Sequence, residues 1–243
     1  MSIIKPFRGI RYARRAEGGL SRLIAPPYDV ISEEERKALS AKSPHNIVRL
    51  ILPEGAAGGD RDRYPFEVRL DDAMMRGDWL LVGSAWATGR HEPGRGLQDG
   101  LVGFEVGAAQ IGTRGWQGRL RMEETYRADR EVQLTLGADL GLRGWDPDTF
   151  DGTGRALLNL QYRSLWKEGV ADFMAVGFLA FVDVGATWDG RVGKTTGGLR
   201  GDIGVGALVE LSKFSAAEII RLEVAVPDDG SGVVVTAATS ALF

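Results

Sequence analysis

The sequence has no cysteine and only two histidines, His45 and His91, among its 243 residues. The first absence excludes disulfides, thiolate metal sites and cysteine nucleophiles, and the second leaves too few imidazoles for a histidine-rich metal cage. The longest uncharged apolar run, Phe173 to Val182, has ten residues, about half of the roughly 20 that a transmembrane helix needs. The sequence therefore excludes a helical membrane protein and most metalloenzymes, and we expect no cofactor.

Neither sign of charge is in excess, because 30 Lys and Arg residues face 33 Asp and Glu residues, for a net charge of -3. Without a strongly basic field, nucleic acid is not an expected partner. Glycine is the residue type in excess: 34 of 243 residues is 14%, against a usual share of about 7%. With 44% apolar residues, the chain is long enough for one large or two small domains.

The composition changes near residue 66. Residues 1–66 carry 12 basic and 8 acidic side chains (net +4), which leaves 18 basic and 25 acidic side chains (net -7) for residues 67–243. Six of the nine prolines lie in the first region, whereas 28 of the 34 glycines and all six tryptophans lie in the second. The stretch Gly55 to Pro65 between them is small and polar enough for a linker. We therefore predict two domains, at residues 1–66 and 67–243.

Residues 1–66 are expected to form a short α/β segment. Ser32 opens a capping box that predicts a helix from Glu33 to Lys42, and Asn46 to Leu52 reads as a strand. Two strings, Ile24 to Ser32 (IAPPYDVIS) and Pro44 to Leu50 (PHNIVRL), resemble the amino terminus of a widespread family of bacterial and archaeal soluble proteins, the domain-of-unknown-function family ten-fifteen. The resemblance implies a truncated module with no known activity.

From Trp79 onward, apolar and polar residues alternate with a period of two, in segments of about ten residues separated by Gly, Asp and Pro turns. This pattern predicts a mainly β fold of about nine antiparallel strands in a meander. The predicted strands are Trp79 to Thr88, Val102 to Val106, Trp116 to Glu123, Glu131 to Leu136, Arg155 to Arg163, Met174 to Trp188, Asp202 to Leu211, Ile220 to Val226 and Gly232 to Phe243.

Alternation alone fits both a soluble sandwich and a membrane barrel, since each hides one face of a sheet from water. Strands of about ten residues match those that cross a bilayer, whereas globular strands are mostly about five or six residues long. Glycines on the polar face fit a lumen better than a packed core. Aromatic residues near segment ends, such as Trp116 and Tyr162, match an interfacial girdle. The pattern therefore favours a transmembrane β-barrel over a soluble sandwich.

Four stretches resemble one superfamily. They are Leu136 to Trp145 (LGADLGLRGW), Leu158 to Arg163 (LNLQYR), Phe181 to Gly185 (FVDVG) and the terminal Phe243. Together they are similar to the carboxy-terminal half of BamA-type outer-membrane barrels, the bacterial surface antigen family. The resemblance implies a non-enzymatic barrel that assembles outer-membrane proteins or moves polypeptides across that membrane. The chain would then be a partial transmembrane β-barrel in contact with outer-membrane lipid. Unfolded outer-membrane polypeptides and assembly machinery are its other expected partners.

The resemblance also implies where the motif residues act. Arg143, followed by Gly144 and Trp145, would lie on a long loop folded back into the lumen. There it would pair with Asp183, which lies two residues before Gly185. Such a buried charge pair is costly unless both partners are present.

Gln161 departs from the family, which more often has Glu before the Tyr-Arg pair that ends here in Arg163. The resemblance therefore implies a weaker grip on Arg143. Phe243 would close a carboxy-terminal signal that assembly machinery recognises.

Only part of the family's strands is expected here, and Met1 to Gly19 lacks the apolar core of an export signal. We therefore expect a fragment or fusion, located in the outer membrane by resemblance and in the cytoplasm if the chain is taken as written. One alternative is a soluble cytoplasmic protein defined by residues 1–66. Another is a hydrolase using Asp78, His91 and Ser84, which nothing in the sequence places together.

Overall fold

The computed structural model describes residues 47–51, 64–92, 94–127, 133–171, 174–190, 195–211 and 218–238. Within those ranges every regular element is a strand, and no helix is present that is long and apolar enough to cross a membrane. The strands are β1 (Ile47–Ile51), β2 (Tyr64–Arg76), β3 (Trp79–Glu92), β4 (Gly96–Gln110), β5 (Arg114–Tyr126), β6 (Leu134–Leu136), β7 (Phe150–Gly152), β8 (Gly154–Ala171), β9 (Met174–Trp188), β10 (Thr195–Leu211), β11 (Glu218–Pro227) and β12 (Val234–Ala238).

Ten of these strands form one antiparallel sheet, here called the main sheet, in the order β1-β2-β3-β4-β5-β8-β9-β10-β11-β12. Each strand pairs with the next one along the chain, apart from β6 and β7, which pair with each other in the connection between β5 and β8. The described strands form an open sheet, since no ladder joins β1 to β12. The mainly β, antiparallel meander predicted from the alternation is confirmed.

Two details differ from the prediction, and one lies outside the described residues. The strand expected at Glu131 to Leu136 is wrong as a member of the meander, because its described strand residues, Leu134–Leu136, pair with β7 and not with a strand of the main sheet. Leu134 and Leu136 are buried, so this apolar segment packs inside instead of extending the sheet. Strand β2 was not predicted, and it runs across the expected boundary at residue 66. The helix expected at Glu33 to Lys42 lies outside the described residues.

The two faces of the main sheet differ sharply in composition. One, the apolar face, carries side chains that are largely exposed: Leu70, Val102, Phe104, Leu120, Leu158, Leu160, Val182, Ile203, Val205, Leu222 and Val224. The other, the polar face, carries side chains that are buried: Glu105, Gln117, Arg119, Glu123, Asn159, Gln161, Arg163, Asp183, Asp202, Arg221 and Glu223. Successive residues of a strand point to opposite faces, so a period of two sorts them in this way.

Glycines on the polar face make room for aromatic rings. A Cβ atom at Gly103 would lie 2.5 Å from Cζ2 of Trp86, and one at Gly204 would overlap the ring of Phe181. The gaps that these glycines leave are therefore filled by side chains of the neighbouring strands.

Candidate functional site

The connection between β5 and β8 folds over the polar face, and its described part, residues 133–153, is called the inner loop. Its apolar side chains form a small cluster with Leu157 of β8. The members of this cluster are Leu136, Leu142, Trp145 and Leu157, with Leu140 and Phe150 packed against them. Burying these side chains against the sheet gives the loop an apolar anchor beneath its charged residues.

Arg143 of the inner loop and Asp183 of β9 form a two-pronged ion pair. Arg143 Nε donates to Asp183 Oδ2 at 2.7 Å and Nη2 donates to Oδ1 at 2.9 Å. Asp183 is fully buried and Arg143 is 5% exposed. The two residues that the resemblance pairs are thus brought together, in the geometry that makes arginine-carboxylate contacts strongest.

Three further side chains surround the Arg143 guanidinium. Its carbon lies 3.5 Å from the centre of the Phe181 ring, so the cation stacks on the aromatic face. Nη1 donates to Gln161 Oε1 at 3.1 Å and to Glu223 Oε1 at 3.3 Å. The resemblance implied that Arg143 is bound less strongly here, because Gln161 replaces a Glu. Glu223 of β11 instead provides a second carboxylate for Arg143, beside Gln161.

Burial and pairing act in opposite directions on the ionisation of Arg143. Burial alone would lower the pKa of its guanidinium, while the hydrogen bond and the charge of Asp183 raise it, and the net result is a pKa above the usual value. Arg143 therefore stays protonated in its buried position beside Asp183.

Gly144 and Trp145 extend the contact toward β10. The Gly144 amide donates to Asp202 Oδ2 at 2.9 Å, and a Cβ atom at this glycine would lie 2.5 Å from Asp202 Cβ. Trp145 Nε1 donates to the carbonyl of Gly201 at 3.2 Å. Only a glycine at position 144 lets the loop approach β10 this closely.

The remaining motif residues play different parts. Gly185 makes room for the inner loop, because a Cβ atom there would lie 2.6 Å from Leu136 Cδ2. Arg163 is buried but donates from Nη2 to the carbonyl of Gly112 at 3.1 Å, in the β4–β5 turn. Phe243 lies outside the described residues.

The sequence did not predict which polar residues of the sheet contact the inner loop. Four such residues were missed: Arg119, Asn159, Asp202 and Glu223. All four lie at polar positions of the alternating pattern, which placed them on the polar face. Their partners could not be read from spacing, since Arg143 and Glu223 stand 80 residues apart in sequence.

The residues considered for catalysis are not brought together. Ser84 donates from Oγ to Asp71 Oδ1 at 2.6 Å. Asp78 lies just before β3 and His91 near its other end, a separation of about 40 Å along an extended strand. Among the described residues, no group of three or more His, Cys, Asp or Glu side chains is arranged to hold a metal ion.

Comparison with known proteins gives a match at the amino terminus. A family model described as "Protein of unknown function (DUF1015)" matches residues 4–76, which is 73 of 243 residues. It confirms the resemblance stated for the first region and reaches the last residue of β2. No match to the bacterial surface antigen family is found, and no curated protein matches the chain. The amino-terminal third of the chain is therefore similar to a family that has no assigned activity.

Proposed function

We propose that the main sheet belongs to an outer-membrane β-barrel whose apolar face contacts lipid and whose polar face lines the interior around the inner loop. The observation that carries the proposal is the exposure of the two faces. Ile203 and Val205 are each 61% exposed, whereas Asp183 and Asn159 are fully buried. Contact with hydrocarbon stabilises this distribution, and contact with water opposes it.

The dimensions of the apolar face support the same proposal. Trp116 and Tyr126 are both exposed on this face and stand ten residues apart on β5. At about 3.3 Å per residue and a strand tilt of about 40°, they are separated by roughly 25 Å along the membrane normal, the height of the apolar band of outer-membrane barrels. The only other sheet within the described residues, β6–β7, belongs to the inner loop and does not cover the apolar face.

The resemblance to BamA-type barrels supports a non-enzymatic role in the assembly or translocation of outer-membrane polypeptides. The contacts of Arg143 with Asp183, and of Gly144 with Asp202, are consistent with a loop retained inside a lumen. The proposal also carries a requirement. Unpaired backbone groups are not tolerated in hydrocarbon, so the outer edges of β1 and β12 must be covered by further strands or by a partner chain.

Tryptophan fluorescence tests whether the apolar face contacts lipid. The full chain is reconstituted into phosphatidylcholine vesicles that contain brominated acyl chains, which quench tryptophans close to lipid. Replacing both Trp116 and Trp166, exposed on the apolar face, by Phe is expected to remove most of the quenchable signal. The matched control replaces Trp86, which packs beside Gly103 of the polar face, and Trp145 of the inner loop by Phe. Equal loss of quenching in the two variants would rule the proposal out.

A second candidate is favoured by the family match at residues 4–76. In this alternative the chain is a soluble protein of unknown function, and the apolar face is covered by protein instead of lipid. A monodisperse full chain in detergent-free buffer, with no binding to phosphatidylcholine vesicles in flotation, would support it. Aggregation without detergent and flotation with the vesicles would support the barrel.

A further inference from the structure

Asn159 of β8 uses all of its hydrogen-bonding groups within the polar face. Its Nδ2 donates to the carbonyl of Gly141 at 2.6 Å and to Asp183 Oδ1 at 2.7 Å. Its Oδ1 accepts from Nε and Nη2 of Arg119 at 3.0 and 2.8 Å. The side chain is fully buried, so the loss of any one of these bonds leaves a polar group without water to replace it.

Arg119 of β5 contacts the same part of the inner loop. Its Nη2 donates to the carbonyl of Leu140 at 2.7 Å, one residue before the carbonyl that Asn159 binds. The turn that presents these carbonyls is closed by amides of Gly141 and Leu142, which donate to the carbonyl of Gly137. Gly141 has a φ of +112°, and a Cβ atom there would lie 2.8 Å from Arg119 Nη2. The turn is therefore shaped to fit against these two side chains.

The geometry points to a second attachment of the inner loop, the Arg119–Asn159 clasp, which holds the loop backbone at Leu140 and Gly141 separately from the ion pair of Arg143. The clasp binds main-chain carbonyls and needs no charge on the loop, whereas the ion pair depends on the Arg143 side chain. The hydrogen bond from Asn159 to Asp183 joins the two attachments. Because Asn159 keeps its three other hydrogen bonds when that one is lost, the loop can release its Arg143 segment while the turn at residues 137–142 stays docked.

This two-point attachment assigns Asn159 and Arg119 as positioning residues for the loop. It does not depend on whether the apolar face contacts lipid, because both residues lie on the polar face. A negative result in the lipid-quenching experiment would therefore not count against the clasp. A negative result for the clasp would likewise not count against lipid contact of the apolar face.

Two local readouts separate the attachments in the full chain, purified in detergent. Trypsin cleavage after Arg143, quantified by mass spectrometry, reports release of the ion pair. Hydrogen exchange of the Gly141 and Leu142 amides reports release of the turn. Asp183→Asn is expected to raise cleavage about tenfold, because it removes the two-pronged carboxylate contact and leaves Arg143 only the longer contact with Glu223, while changing exchange less than about twofold. Asn159→Leu is expected to raise exchange about tenfold, because a buried amide that makes four hydrogen bonds is lost.

Arg119→Lys serves as the second variant, since it keeps the positive charge and removes the two-pronged contact with Asn159. It is expected to raise exchange of the two amides at least about threefold and to leave cleavage after Arg143 unchanged. Far-ultraviolet circular dichroism checks that the strands remain folded in each variant. A parallel rise of both readouts in Asp183→Asn would overturn the proposal, as would unchanged exchange in Arg119→Lys.

Discussion

The apolar and polar faces of the main sheet reverse the arrangement of a sheet in water. In a soluble protein, burial of apolar area is the main force for folding, and charged groups remain in contact with solvent. Here the exposed positions carry Leu, Val, Ile and Phe, while Arg143, Asp183 and Glu223 are buried together. Alternation of apolar and polar residues therefore predicts that a sheet has two different faces, but it does not predict which face is buried. The buried face is the one whose side chains find partners in the interior.

Two groups of buried charges on the polar face are closely paired. Glu123 accepts from Arg121 at 2.8 Å and lies 2.6 Å from Arg155, and Asp183 is bound by Arg143 and Asn159. An isolated buried charge costs several kcal/mol, whereas a paired and hydrogen-bonded one is tolerated. The polar face therefore depends on specific partners, and the apolar face depends only on apolar surroundings.

The largest loss of stability is expected when the ion pair of Arg143 and Asp183 on the polar face is removed. Arg143→Ala and Asp183→Ala should each lower the free energy of unfolding by about 3–5 kcal/mol, because each breaks the two-pronged contact of a buried ion pair. The double variant should lose little more than either single one, since the two changes remove the same contact. Denaturant titration in detergent, followed by near-ultraviolet circular dichroism, measures all three. Additive losses would contradict the pairing.

An arginine on the apolar face should destabilise the protein most near the middle of the bilayer. Leu158 is exposed midway between the levels of Trp116 and Tyr126, and Leu158→Arg should cost about 2–4 kcal/mol in lipid. Val176 of β9 pairs with the exposed Trp166 toward the ends of the strands, so Val176→Arg, a change of the same type close to the interface, should cost about 0–1 kcal/mol. Unfolding in phospholipid vesicles compares the two variants. Equal costs at both positions would argue against a membrane-embedded face.

The alternation of apolar and polar residues predicted much of the fold but only part of the site. Period-two alternation is a property of neighbouring residues, so it gave β3, β4, β5 and β8 to β12 in their order. It failed at Leu134–Leu136, because apolar alternation does not distinguish a sheet strand from a loop strand folded over that sheet. The Arg143 and Asp183 contact was implied by resemblance. Asn159 and Glu223 were missed because their partners are set by the folded loop.

Gly144→Ala tests how closely the inner loop approaches the polar face. The added methyl group would lie 2.5 Å from Asp202 Cβ, and relieving that overlap should cost about 1–3 kcal/mol. Gly83→Ala is the matched control, since a Cβ atom there has no neighbour within 4 Å. Thermal unfolding in detergent should shift for the first variant only. An unchanged midpoint in Gly144→Ala would mean that the loop does not rest on β10.

The smallest effect distinguishes lipid from protein as the cover of the apolar face. Trp116 packs edge-on against Tyr162 with ring centres 5.3 Å apart, a contact that contributes about 0.5–1.5 kcal/mol. If lipid covers this face, Trp116→Ala loses mainly that contact, because acyl chains fill the space of the indole. If a protein surface covers it, the same change leaves a cavity and costs about 3–5 kcal/mol. Denaturant unfolding of the full chain in lipid therefore decides between the two covers, and the small value is expected.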